Sequence, residues 1–461
     1  MKSLLNVTVV GLSVVLYVLT PMDYDLFFCT ACMALFFIVA IDLVRNDIKQ
    51  IGWLNFNILF LFTFFACTYV FPVFLIGGRS LIGDYIQNSI SSFATINKGV
   101  SLSTFAISIY AFFYKFCRND SRIALHINEI RETSIIYKNS KIFVVIVCLL
   151  IIYVLYSFMQ KTHGVEIEVT DAPYLFQLFY YIVPIYLVSS AIHAKNESIK
   201  MKRFFKNNIM IIILLVAMMA LFTYIGDRAP IITIGITIIA AISLYVKRIK
   251  PKTLLLYGLL GIILMFSLRM TRNDTTSLRS GGIGSFVRSS QQSINKSSGW
   301  DLLSDLVGIS FELNEGMMYV ESHGFLYPSA NMIIFVTSPI PFLPTYLTQV
   351  LYDKTPEDVT PGPTIARYTR THAGNHCVID IYMPFGFLGV ALFFSLLGVM
   401  VAKITNGLNK NNLFCKIFYV YLLSAAIFVA RNSLTNLYRS LVLTFVIYYI
   451  LVFINNRKRT V

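Results

Sequence analysis

The chain has 461 residues, 56% of them apolar and only 13% charged, with a formal net charge of +15 and a mean hydropathy of +0.69. These values exclude an ordinary soluble domain and a disordered polar chain. Seven cysteines, mostly inside apolar stretches, exclude a disulfide-stapled scaffold.

A bilayer core of about 30 Å needs about 20 apolar residues per helix. In chain order the sequence offers twelve such stretches: Leu4–Thr20, Leu26–Leu43, Trp53–Ile76, Phe93–Phe113, Ile142–Phe158, Tyr174–Ile192, Met210–Tyr224, Ile231–Val246, Leu254–Leu268, Val378–Val401, Phe414–Ala430 and Asn436–Ile454. The first lacks a small-residue cleavage site and is read as a span, not a cleaved signal. The expectation is an all-α polytopic membrane protein of twelve spans. Residues 1–269 hold spans one to nine with short loops, 270–377 form one large loop, and 378–461 hold the last three spans and a basic tail.

Lysine and arginine set the orientation. With the N-terminus inside, the cytoplasmic segments collect 24 of the 38 basic residues and 6 of the 23 acidic ones. Both termini are therefore expected in the cytoplasm and the large loop outside. The basicity reflects topology, which leaves no reason to expect a nucleic-acid partner. The cytoplasmic loops are too short for a nucleotide-binding domain, no phosphate-loop motif occurs, and no internal repeat is evident. Cys377 is expected near the outer surface with no external partner.

Within the large loop, Arg279–Ser285 and Ser289–Ser298 are loop-like, and Asp301–Val320 has helical periodicity. Met332–Val336 is apolar but runs into Pro339, Pro341 and Pro344, which suits a re-entrant or interfacial piece lying on the membrane. Thr355–Pro363 is acidic and Pro-rich, and a turn-filled surface segment is expected there.

Arginines at the outer helix ends carry the strongest chemical signal. Gly226-Asp227-Arg228-Ala229-Pro230 forms a tight turn in which Asp227 could cap the helix that Pro230 enters. Such a helix start, with Arg228 beside it, suits phosphate. The ninth span is short alone and should continue through Arg269 and Arg272, which share a face at i, i+3. The last span should begin near Asn432–Ser433, placing Arg439 inside it and Arg431 just before it. Snorkelling to headgroups is the plain alternative for any one arginine. Five at three outer helix ends favour a shared anionic ligand such as pyrophosphate.

Glu312, Glu315, Asp380, His323, His372 and His376 are candidate general bases. Their plain readings are a solvated helix face for the glutamates, helix capping for Asp380 and polar loop positions for the histidines. Lys98 could touch phosphate or snorkel. Asp23-Tyr24-Asp25, in the first outer turn, is a minor candidate for metal, and no other cluster has metal-ligand spacing.

Three stretches in order carry a family resemblance: Gly226-Asp227-Arg228, then Gly374-Asn-His-Cys-Val-Ile-Asp380-Ile-Tyr382-Met-Pro-Phe-Gly386-Phe-Leu-Gly389, then Arg431-Asn-Ser-Leu-Thr-Asn-Leu-Tyr-Arg439. With the late external loop, they resemble the Wzy-type O-antigen (oligosaccharide repeat-unit) polymerases. Relatives often have Glu where Asp380 stands. The resemblance implies a GT-C-like glycosyltransferase of the bacterial inner membrane. It would join undecaprenyl-pyrophosphate-linked oligosaccharides, donor and acceptor, with undecaprenyl pyrophosphate leaving. Arg228, Arg269, Arg272, Arg431 and Arg439 would hold the pyrophosphate, with His376, Glu312 or Asp380 catalytic. No cofactor, metal or nucleotide sugar would be needed. A chain-length regulator and a flippase are candidate partners beside the bilayer. Two rivals stay open: a ligase moving the same glycan to lipid A core, and a flippase or transporter of the lipid-linked sugar.

Overall fold

The computed structural model describes residues 2–76, 95–118, 133–161, 173–196, 201–225, 229–254, 308–369, 375–408 and 412–457, with isolated positions between 256 and 261. Among the described residues the chain is helical and contains no strand. This follows from the setting: hydrocarbon offers backbone amides no partner, so each segment must satisfy its own. Seven described helices are long and apolar enough to cross a membrane, and the chain is a polytopic membrane protein.

The helices are α1 (Lys2–Val18), α2 (Leu26–Gln50), α3 (Phe56–Thr68), α4 (Ile96–Cys117), α5 (Thr133–Lys161), α6 (Pro173–Asn196), α7 (Met201–Asn207), α8 (Ile209–Ile225), α9 (Ala229–Ala241), α10 (Ile309–His323), α11 (Pro328–Thr337), α12 (Leu343–Tyr352), α13 (Pro356–Val359), α14 (Pro361–Thr369), α15 (Cys377–Gly407), α16 (Leu413–Val429) and α17 (Leu434–Arg457). The seven candidate spans are in α2, α4, α5, α6, α9 with its extension, α15 and α17. α1, α3, α8 and α16 are apolar but shorter, and most of the expected ninth span lies outside the described residues.

Two compact units emerge. The first comprises Met1–Ile123, Leu303–Asn406 and Ala425–Leu441, and the second Ala124–Leu302, Gly407–Ser424 and Val442–Val461. In the second, α5, α6, α8 and α9 bury a core that includes Val144, Ile151, Val183, Leu215 and Ile234. Its polar pin is Asn208, whose Oδ1 accepts from Tyr186, from Ser190 at 3.0 Å and from Tyr137 at 3.4 Å. Its Nδ2 returns to the Phe204 carbonyl at 2.7 Å, so the buried amide is satisfied on both sides.

In the first unit, α2, α3 and α4 meet at Asp47, which is buried. Asn57 Nδ2 donates to its Oδ2 at 2.6 Å and the Tyr114 hydroxyl to its Oδ1 at 2.8 Å. Tyr110 closes the chain on Asn57 Oδ1 at 2.5 Å. α3 runs on into a π-helical segment, Val70–Leu75, where Pro72 has no amide to give the Thr68 carbonyl. α15 is broken at Gly386, whose φ of 62° and ψ of −161° no other residue type adopts without strain. The break frees the Met383 carbonyl, and the Leu326 amide takes it at 2.9 Å. Further along α15, Gly398 lets two backbones touch: a Cβ there would sit 2.5 Å from the Tyr110 carbonyl oxygen and 3.0 Å from the Tyr114 amide nitrogen.

The segments expected in the large loop differ in detail. The helix expected over 301–320 runs from Ile309 to His323 where it is described. The acidic stretch is not merely turns, because Thr355 and Asp358 form a capping box that starts α13, and α14 follows at once.

Small residues permit close helix approach in membranes, and overpacking costs about 1–3 kcal/mol. Gly398→Ala should therefore lower the thermal midpoint of the purified protein, and Gly398→Leu should lower it further. Gly235→Ala, where a Cβ meets nothing within 4 Å, should leave it unchanged.

Candidate functional site

The candidate site lies where several helix ends of the first unit converge. α16 closes at Val429 and α17 opens at Leu434, so residues 430–433 turn the chain. α15 starts beside that turn: Cys377 N donates to the Ala430 carbonyl at 3.2 Å, and Asn375 N to the Arg431 carbonyl at 3.3 Å.

Asp380 ties the two helix starts together. It is only 6% exposed, in the first turn of α15. Asn375 Nδ2 donates to its Oδ1 at 2.6 Å, and Ser433 Oγ donates to its Oδ2 at 2.7 Å. Ser433 Oγ in turn accepts from Thr435 N at 3.1 Å, as an N-cap does. The capping expected of Asp380 is thus exerted through Ser433 on a different helix from its own. Ser433 stands where the sequence expected the last helix to begin, but neither it nor Asn375 was a candidate site residue. A Ser just before an apolar run was the one signal available.

His376 is fully buried. Its Nδ1 accepts from Val378 N at 3.2 Å, so the ring proton is on Nε2, which donates to Thr68 Oγ1 at 3.1 Å. Burial pushes its pKa down to about 3. The ring therefore fastens the end of α3 to the start of α15, and its one lone pair is already engaged.

α10 is the next wall. Glu312 and Glu315 are each 2% exposed, which overturns the expectation of a solvated face. Three contacts explain why α10 is buried on this side. Ser310 Oγ donates to the Cys67 carbonyl at 2.5 Å, Thr95 Oγ1 donates to the Asn314 carbonyl at 3.1 Å, and Leu313 packs on Gly99. Gly316 lies so near Ile379 of α15 that a Cβ would fall 2.2 Å from its Cγ1. A helix wedged among α3, α4 and α15 turns its polar residues inward, which periodicity alone does not reveal.

Arg431 lies in the turn and Arg439 in the second turn of α17, the placement expected for both. The Nε of each is buried without a hydrogen-bond partner, and neither forms an ion pair among the described residues. Arg439 Nη2 donates to Asn436 Oδ1 at 3.3 Å. Arg228, Arg269, Arg272 and His372 lie outside the described residues.

Other expected positions have local partners. Lys98 pairs with Glu321 at 2.7 Å. His323 bonds Ser322 at 2.7 Å and stacks on Tyr319. Asp25 caps α2, accepting from Phe27 N and Phe28 N. Cys377 is fully buried in the first turn of α15, where its amide reaches the Ala430 carbonyl.

No family model, curated protein or solved structure matches this chain.

The depressed His376 pKa fixes a sign. Below the ordinary value of 6.5 the unfolded chain takes up a proton that the folded ring refuses. Its contribution is full above 6.5 and is lost as pH falls towards about 3, by at most about 1.4 kcal/mol per pH unit. Unfolding midpoints should fall on acidification across this window, and His376→Gln should flatten the slope. Asp380, Cys67, Cys377 and Arg431 are common to both proteins, so equal slopes would remove His376 as the source.

Proposed function

We propose that the chain is a GT-C-like membrane glycosyltransferase that polymerises undecaprenyl-pyrophosphate-linked oligosaccharide repeats into O-antigen-type polysaccharide. In this reading α1, α3, α8, α16 and the segment after Leu254 also cross, giving twelve spans, and the site faces outward from the bacterial inner membrane. The observation that carries the reading is the pair of arginines: Arg431 and Arg439 each hold a buried Nε with no acceptor among the described residues, beside helix starts already organised by Asp380. A guanidinium without an acid is costly at membrane depth unless an anion meets it. A leaving pyrophosphate concentrates such charge, and fixed donors at that place lower the barrier to its departure.

The donor's C1–O bond to pyrophosphate breaks as an acceptor hydroxyl attacks C1. The hydroxyl proton passes to a base, and undecaprenyl pyrophosphate leaves on the arginines. Arg228, Arg269 and Arg272 complete the clamp in this proposal. Glu312 is the preferred base, since the lone pair of His376 is taken by Val378 and the two oxygens of Asp380 by Asn375 and Ser433. The closed wall of α10 supports the reading by keeping water from the donor.

The protein, reconstituted with lipid-linked repeats, should produce a glycan ladder. Arg431→Ala should reduce that ladder roughly a hundredfold and Arg431→Lys less, the scale for removing one charge-stabilising donor. A wild-type ladder from Arg431→Ala at equal protein level would reject the clamp. No ladder from the wild type would reject polymerisation, and transfer of glycan to lipid A core would favour the ligase instead.

A further inference from the structure

Residues 328–352 contain no Asp, Glu, Lys or Arg, in a stretch bounded by Glu321 on one side and Asp353 and Lys354 on the other. They form α11 and α12, each 10 residues long. Ten helical residues reach about 15 Å, half of a bilayer core, so neither helix can span it.

One side of α11 is fixed to the protein. Ala330 is fully buried, Asn331 Nδ2 donates to the Val359 carbonyl at 2.8 Å, and Phe335 packs on Phe393 of α15 (5.1 Å between ring centres) and on Tyr438 of α17 (4.5 Å). The opposite side is apolar and open. Val336 is 57% exposed, and on α12 Tyr346 and Val350, one turn apart on the same face, are exposed by 63% and 61%. Removing side chains of this size from water is strongly favourable. A face of that kind has no reason to meet water.

We propose that α11 and α12 form an in-plane membrane anchor, their free face lying in the headgroup–acyl boundary of the bilayer that α15 crosses. Continuity with a lipid-facing surface identifies the occupant. α15, whose Phe393 holds α11, turns Leu388, Leu392 and Leu396 outward at i, i+4, i+8, as a span facing hydrocarbon does. Lipid that wets this stripe reaches the adjacent free side of α11. The two tyrosines of α12, Tyr346 and Tyr352, suit the interface, where a ring's apolar body and its polar hydroxyl are both satisfied. The strip of charge that follows, Asp353, Lys354, Glu357 and Asp358, marks where the chain returns to water. Such an anchor requires only a membrane-spanning chain, whatever reaction the protein catalyses.

The test uses the full chain in nanodiscs of phosphatidylcholine, with some lipids carrying a nitroxide near the ester. In a Trp53→Phe, Trp300→Phe background, single variants Tyr346→Trp and Val350→Trp should lose roughly half of their emission to the nitroxide lipids, the depth expected for an interfacial helix, and resist aqueous acrylamide. Glu357→Trp should behave oppositely. Acrylamide quenching of Tyr346→Trp without lipid quenching overturns the proposal. Protection from both quenchers, together with cross-linked dimers, overturns it in favour of a second copy. A second measurement uses the wild-type protein and a lipid-borne diazirine. The peptide containing 342–350 should be labelled alongside the one containing 388–396. Label on 388–396 alone overturns the proposal.

Discussion

A helix that starts at a membrane edge leaves its first amides without partners, and in the first unit two helices start side by side. Asp380 resolves both starts with one carboxylate. It belongs to the first turn of α15 and accepts from Ser433, which caps α17. Negative charge at a helix N-terminus is favourable by about 0.3–1 kcal/mol at exposed sites and more where partly buried. The Cys377 and Asn375 amides fasten the same junction to residues 430 and 431. The positions of Arg431, His376 and the α10 wall all depend on this joint.

Around the joint the polar groups divide into two kinds. Asp380, His376 and Asn314 are engaged by neighbouring helices and hold geometry. Arg431 and Arg439 retain buried Nε donors that no group among the described residues accepts. Buried polar groups are normally paired, so unpaired donors beside a rigid frame separate the groups able to hold a ligand from those that shape its surroundings.

The frame itself rests on close packing. Gly99, Gly316 and Gly398 each admit a neighbouring helix to a distance at which a methyl group would meet it. Gly386 instead breaks α15, and the freed Met383 carbonyl receives Leu326, the residue that leads into α11. A backbone irregularity in a span thus positions the helical pair whose free face is apolar.

The sequence by itself determined the all-helical membrane class and the positions of the long apolar helices among the described residues, because hydropathy and the need for internal backbone hydrogen bonds act locally. It also placed Arg431 before the last helix and Arg439 within it. It did not reveal that Glu312 and Glu315 are buried, since their periodicity suits a helix exposed on either side. Nor did it reveal the partners of His376 or Asp380. Those partners, Thr68 and Ser433, are 308 and 53 residues away along the chain. Only the tertiary structure brought them together, because side chains so far apart acquire one environment only after their helices have packed.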